Sequence, residues 1–110
     1  MTTLIDQAPE GQREALSEVL AERLRQDDKW GTDFPRRSHH KWMTILTEEV
    51  GEIARGVLSL YHGENGVEPL SADAFDALRD EVVQVAAVCL SWLEKGEWDG
   101  AQHREWSVDI

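Results

Sequence analysis

The chain has 110 residues, 41% hydrophobic and 30% charged, which suits a single soluble domain, 1–110, with one modest core. Eleven Lys and Arg against 22 Asp and Glu give a formal net charge of −11, which excludes a general nucleic-acid binder and docking on an anionic membrane. A small phosphorylated ligand stays compatible with that charge if a metal ion stands between it and the acids.

Three segments carry a helical period, and none shows a period of two, so the expected class is all-α with three main helices. The first covers about 9–28, with Leu16, Val19, Leu20 and Leu24 at helical spacing and Pro9 suited to a first turn. A turn-rich stretch, KWGTDFPRRS, follows. The second helix covers about 39–61, with Gly63 as its stop. After HGENGVEPL, the third covers about 72–95, with Ser71 as N-cap and Gly96 just past its end. The core lies within about 9–95, and the tail over 97–110 reads as a short helix or an extended arm. The wide apolar faces, with Trp98, Trp106, Val108 and Ile110 in the tail, exceed what a chain this short buries alone, so a homo-oligomer is expected.

The lone cysteine, Cys89, excludes an internal disulfide and reads as a core residue on the apolar face of the third helix. No apolar run reaches the length of a membrane span. The start, MTTLIDQAPEGQ, lacks the basic and apolar segments of a signal peptide, so the expected compartment is the cytoplasm.

The acids of the second helix are oddly placed. At about 100° per residue from Ile45, Trp42, Ile53, Gly56 and Leu60 lie on one side, and Glu49 and Glu52 fall within that stripe, at about +40° and −20°. Glu48 lies beside it. A solvated charge run is the plain alternative, but it does not explain acids inside an apolar stripe. On the third helix Phe75, Leu78, Val82, Val85, Ala86, Cys89 and Leu93 form the apolar face. Glu81 sits at its boundary with Gln84 beside it, while Asp80 points away into solvent. Glu81 taken alone could simply snorkel. Two helices that aim such carboxylates at one another need a hard cation between them. Mg²⁺ takes oxygen ligands and pairs with substrate phosphates, so the residues point to a Mg²⁺ site meeting a phosphate.

Other signatures are absent: no phosphate loop, no G-x-G-x-x-G, no H-E-x-x-H, and no Glu-x-x-His of a di-iron bundle. His39 and His40 point about 100° apart and suit a helix start or the surface.

EEVGE at 48–52 followed by Glu81 on a later helix resembles the MazG-like all-α nucleoside triphosphate pyrophosphohydrolases, whose pattern is E-E-x-x-E then E-x-x-D. The flanks AERLRQDDKWG and EVVQVAAVCLSWLE are similar to the short actinobacterial and phage type, and the resemblance covers about 20–95. It implies a helical bundle completed by dimerisation, as a homodimer or homotetramer. It also implies Mg²⁺-dependent hydrolysis of a nucleoside triphosphate to monophosphate and pyrophosphate, with Mn²⁺ as a substitute. Glu49, Glu52 and Glu81 match the metal ligands, and Glu48 matches the leading acid, which either supports those ligands from behind or orients the attacking water. Gln84 stands in the place of the family's Asp. Its amide can ligate or hold a metal-bound water, with one negative charge fewer.

Such a reaction also needs groups that grip the nucleotide. Arg25, Lys29 and Lys41 are the candidates for the phosphates. Trp30, Trp42 and Trp92 are candidates for stacking a base, with core or dimer packing as the alternative for each. The competing reading of the whole chain is a non-catalytic acidic helical dimer that kept the fold and lost turnover through Gln84.

Overall fold

In a computed structural model of the chain, residues 2–30 and 37–98 are described, Trp30 by its backbone alone. The tail residues Trp106, Val108 and Ile110 and most of the turn-rich stretch lie outside the described residues. The fold is all-α, in the order α1 (Leu4–Gln7), α2 (Glu10–Trp30), α3 (His39–His62) and α4 (Ala72–Lys95). The three long helices match the periodic segments. The short α1 carries too few residues to show a period; it exists because Thr3 and Asp6 form a reciprocal capping box.

Local chemistry sets the other ends. Ser38 caps α3 by accepting from the Lys41 amide at 3.2 Å, and Ser71 caps α4 by accepting from the Ala74 amide at 3.2 Å. Gly63 stops α3 with φ of 77°, and its N–H donates to the Ser59 carbonyl at 2.8 Å. A side chain at that position would also press on Val67 and Pro69.

Helix α4 is the central element and packs against both α3 and α2. Its buried face is made of small residues, Ala74, Ala87, Val88 and Ser91, which let both neighbours approach. At the α3–α4 seam, a Cβ on Gly56 would stand 3.2 Å from the Leu78 side chain, so this glycine permits the close contact. Trp42 and Leu60 complete the core from α3.

This arrangement corrects the expected core of α4. Cys89 is exposed, as are Phe75, Val82 and Leu93. Each residue turns the helix by about 100°, so burying Ala87 and Val88 between two partners carries Cys89 out of the core. Among the described residues, no helix is long and apolar enough to cross a membrane.

Candidate metal centre

Three carboxylates meet at the α3–α4 seam. One oxygen from each of Glu49, Glu52 and Glu81 lies within 4.8 Å of the others. Glu49 and Glu52 come from successive turns of α3 and Glu81 from the facing turn of α4, so the same packing that builds the core closes the cluster. Glu49 and Glu81 are half-buried, and one carboxylate oxygen of each, Oε2, is buried without a hydrogen-bond partner. Buried acceptors without partners are rare in folded proteins. This trio can hold a metal ion, which would satisfy both.

Glu52 is exposed, not inside the apolar stripe as its angle from Ile45 suggests. The line of α3 that faces α4 runs through Trp42, Glu49, Gly56 and Leu60, and Glu52 lies about 60° round from Glu49. It closes the cluster from the rim.

The charges respond to this crowding. Burial raises the Glu49 carboxyl above the ordinary carboxylate range, and the neighbouring Glu52 and Glu48 push it further. Glu81 is raised first by burial, then by Glu52, whose carboxylate accepts a hydrogen bond from protonated Glu81 and repels its charged form, then by the charges of Glu49 and Asp80. Arg55, one of two bases on this stretch of α3, is drawn away to Glu64 at 3.1 Å.

A cleft of about 520 Å³ opens beside the cluster, between α2 and the α3–α4 pair. Glu49 belongs to both. The α2 wall is Glu22, Arg25, Gln26 and Lys29, and the α4 wall is Asp80, Val83 and Gln84. Two expected phosphate-binding residues, Arg25 and Lys29, therefore stand in one cleft with a ligand of the candidate centre. Arg25 is ion-paired with Glu22, which is itself buried. Gln84, half-buried, lines the cleft as well. Asp80 is exposed as expected, but into the cleft and not away from the site.

Other expected site residues lie elsewhere. Glu48 is exposed and does not line the cleft; its influence reaches the cluster through the Glu49 charge. Lys41 is exposed in the first turn of α3, also outside the cleft. Trp42 is 4% exposed, with the Arg37 guanidinium 5.2 Å over its ring, so it is a core residue and cannot stack a base. Trp92 is tied to His39 and Trp98. The Trp30 side chain lies outside the described residues.

Sequence reasoning missed Glu22 and Gln26. With Arg25 and Lys29 they follow i, i+3, i+4, i+7 spacing, a polar stripe as regular as the leucines of the same helix. A periodic polar face on a helix with two other candidate faces was the available signal.

No family model matches the chain, and no solved structure matches it. A stretch of 60 residues is 38% identical to a rice protein (Oryza sativa subsp. japonica) named probable protein phosphatase 2C 6. The match spans 53% of this chain but only 13% of that protein, too little of the relative to assign a family.

Proposed function

We propose that this protein is a MazG-like, Mg²⁺-dependent nucleoside triphosphate pyrophosphohydrolase acting in the cytoplasm. The observation that carries the reading is the pair of buried, unpartnered Glu49 and Glu81 oxygens converging with Glu52 beside a cleft that holds Arg25 and Lys29. Three carboxylate oxygen donors favour a hard cation, Mg²⁺ with Mn²⁺ as substitute, over a soft one. Bound there, the ion would neutralise phosphate charge and lower the barrier to attack by water on the α–β phosphoanhydride.

The chain's own residues divide the remaining work. Glu49, Glu52 and Glu81 fix the ion's position, and Arg25 and Lys29 take the distal phosphates across the cleft. Gln84 and Asp80 border the same space, where a neutral amide avoids adding a further charge against an anionic ligand. Glu48 orients the attacking water from the edge of the cluster.

A panel of nucleoside triphosphates, assayed with millimolar Mg²⁺ for phosphate with and without added inorganic pyrophosphatase, tests this. The expected result is phosphate only when pyrophosphatase is present, with Glu81→Gln lowering the rate by about a hundredfold or more. Nucleotide binding without turnover would favour the non-catalytic module, and phosphate without pyrophosphatase would favour a different hydrolysis.

The proposal includes a homodimer or homotetramer. Met43, Val50 and Val57 on α3 recur every seven residues and are exposed; Phe75, Val82 and Cys89 on α4 do the same. Seven-residue spacing keeps each set on one stripe of its helix, the pattern that packs a second pair of helices. Light scattering at micromolar concentration is expected to give at least a dimer, and Val82→Asp a monomer. A wild-type monomer would overturn this part.

A further inference from the structure

At the end of the bundle where α3 begins and α4 stops, the chain after α4 turns back on itself. Gly96 forms an isolated parallel bridge with Arg37, and the Trp98 indole N–H donates to the Trp92 carbonyl at 2.8 Å. The turn needs a glycine: a Cβ on Gly96 would lie 2.6 Å from the Trp92 carbonyl oxygen and 2.6 Å from Trp98 Nε1. His39, the first residue of α3, sits inside this fold-back. Its Nδ1 is 2.9 Å from the Trp92 indole nitrogen, its Nε2 is 3.2 Å from the Glu97 carbonyl oxygen, and its ring centroid is 4.6 Å from that of Trp98.

Both polar partners of the ring are one-sided. An indole N–H can only donate, so Nδ1 must accept and carry no proton. A carbonyl can only accept, so Nε2 must carry the proton. Together they admit one state of the imidazole, the neutral Nε2–H tautomer. A second proton on Nδ1 would set two N–H groups face to face at 2.9 Å, break the Trp92 bond and leave its half-buried indole donor without an acceptor.

We propose that His39 is a proton-operated clasp that holds segment 96–98 across the start of α3 and releases it on acidification. The sign follows from proton counting: the closed clasp admits one ring proton and the open one admits two, so acid favours opening. The charged groups of the elements packed here are Arg37, His40 and Lys41 at the start of α3, Asp27 near the end of α2, and Glu94, Lys95 and Glu97 around the end of α4. Asp27 and Glu94 are engaged with Lys95 and Arg23 respectively. Among the described residues, no carboxylate reaches the imidazole at ion-pair distance to hold a second proton in place. The clasp lies apart from the Glu49–Glu52–Glu81 cluster and does not depend on what that cluster does.

Nitrogen-15 NMR of the full chain tests the clasp. At about pH 8, His39 is expected as the Nε2–H tautomer. As pH falls to about 5, the Trp92 and Trp98 indole N–H resonances should move to solvent-exposed positions, with the same midpoint as the His39 ring. His39→Gln keeps an acceptor and a donor but cannot titrate there, so its indole resonances should stay fixed over that range. Finding the His39 proton on Nδ1 at about pH 8 would overturn the proposal from the wild type alone, whether or not the variant folds. So would indole resonances that do not move in the wild type, or that move equally in His39→Gln.

Discussion

Chelating divalent cations is expected to lower the melting temperature of this protein, and Glu49→Gln to abolish that dependence. Glu49 and Glu81 both have raised carboxyl groups, through burial first and neighbouring acids second. A carboxyl that holds its proton more tightly folded than unfolded stabilises the metal-free fold on the acid side. That contribution is full below the ordinary glutamate value of about 4.3 and is lost as pH rises through the raised folded values. A cation competes with those protons, so the stabilisation it brings should grow over the same rise in pH. At a metal concentration of about 100 times Kd, mass action supplies about 2.7 kcal/mol, or on the order of 10 °C for a domain of this size. Glu49→Gln removes one of the repelling charges. The variant should therefore melt above the metal-free wild type at about pH 8 and ignore Mg²⁺. Thermal melts in EDTA and in millimolar Mg²⁺ at several pH values read all of this. Coincident wild-type curves at every pH would mean that the three carboxylates do not hold a cation.

Arg23→Ala is expected to cost about 2–3 kcal/mol and to loosen α2 from the rest of the fold. Helix α2 does not dock through its leucines: Leu16, Leu20 and Leu24 are 45%, 49% and 70% exposed. It docks through Arg23, which is 5% exposed and bonds Glu94 of α4 at 2.7 Å and Asp27 at 3.2 Å. Asp27 in turn pairs with Lys95 of α4 at 3.3 Å, and Glu18 with Arg79 of α4 at 2.9 Å. Burial alone would lower the affinity of the Arg23 guanidinium for its proton, but Glu94 and then Asp27 reverse this and raise it overall. The charge is thus compensated only while both partners stay in place. Truncation to alanine strips Glu94 of its closest cation and opens a space under α2. Arg23→Lys should rescue poorly, because a point charge cannot bond two carboxylates as a planar fork does. Urea denaturation gives the stability change, and hydrogen exchange should show α2 amides losing protection before those of α4. A loss under about 0.5 kcal/mol would mean that α2 is held by other contacts. Because α2 carries Arg25 and Lys29, the same loosening should weaken the nucleotide binding proposed for the cleft.

The limits of α3 and α4 were written in the sequence. Ser71 and Gly96 bracket α4, and Gly63 with its positive φ stops α3, because caps and stops act on backbone groups a few residues away. The candidate ligands were legible for a related reason: Glu49 lies within an apolar stripe and Glu81 at the edge of one, and helical period alone exposes such a conflict. Period fixes which residues share a face but not which face meets which helix. It therefore assigned α4's bulky stripe of Phe75, Val82 and Cys89 to the core, where packing chose Ala74, Ala87 and Val88. It pointed Asp80 away from the site, whereas α2 walls this exposed side chain into the cleft. The Arg23–Glu94 bond joins residues 71 positions apart, and the Trp92–His39 bond residues 53 apart. Neither side chain differs locally from a solvated one. Only the docking of whole helices, with its contest between burying area and pairing charge, gives them partners.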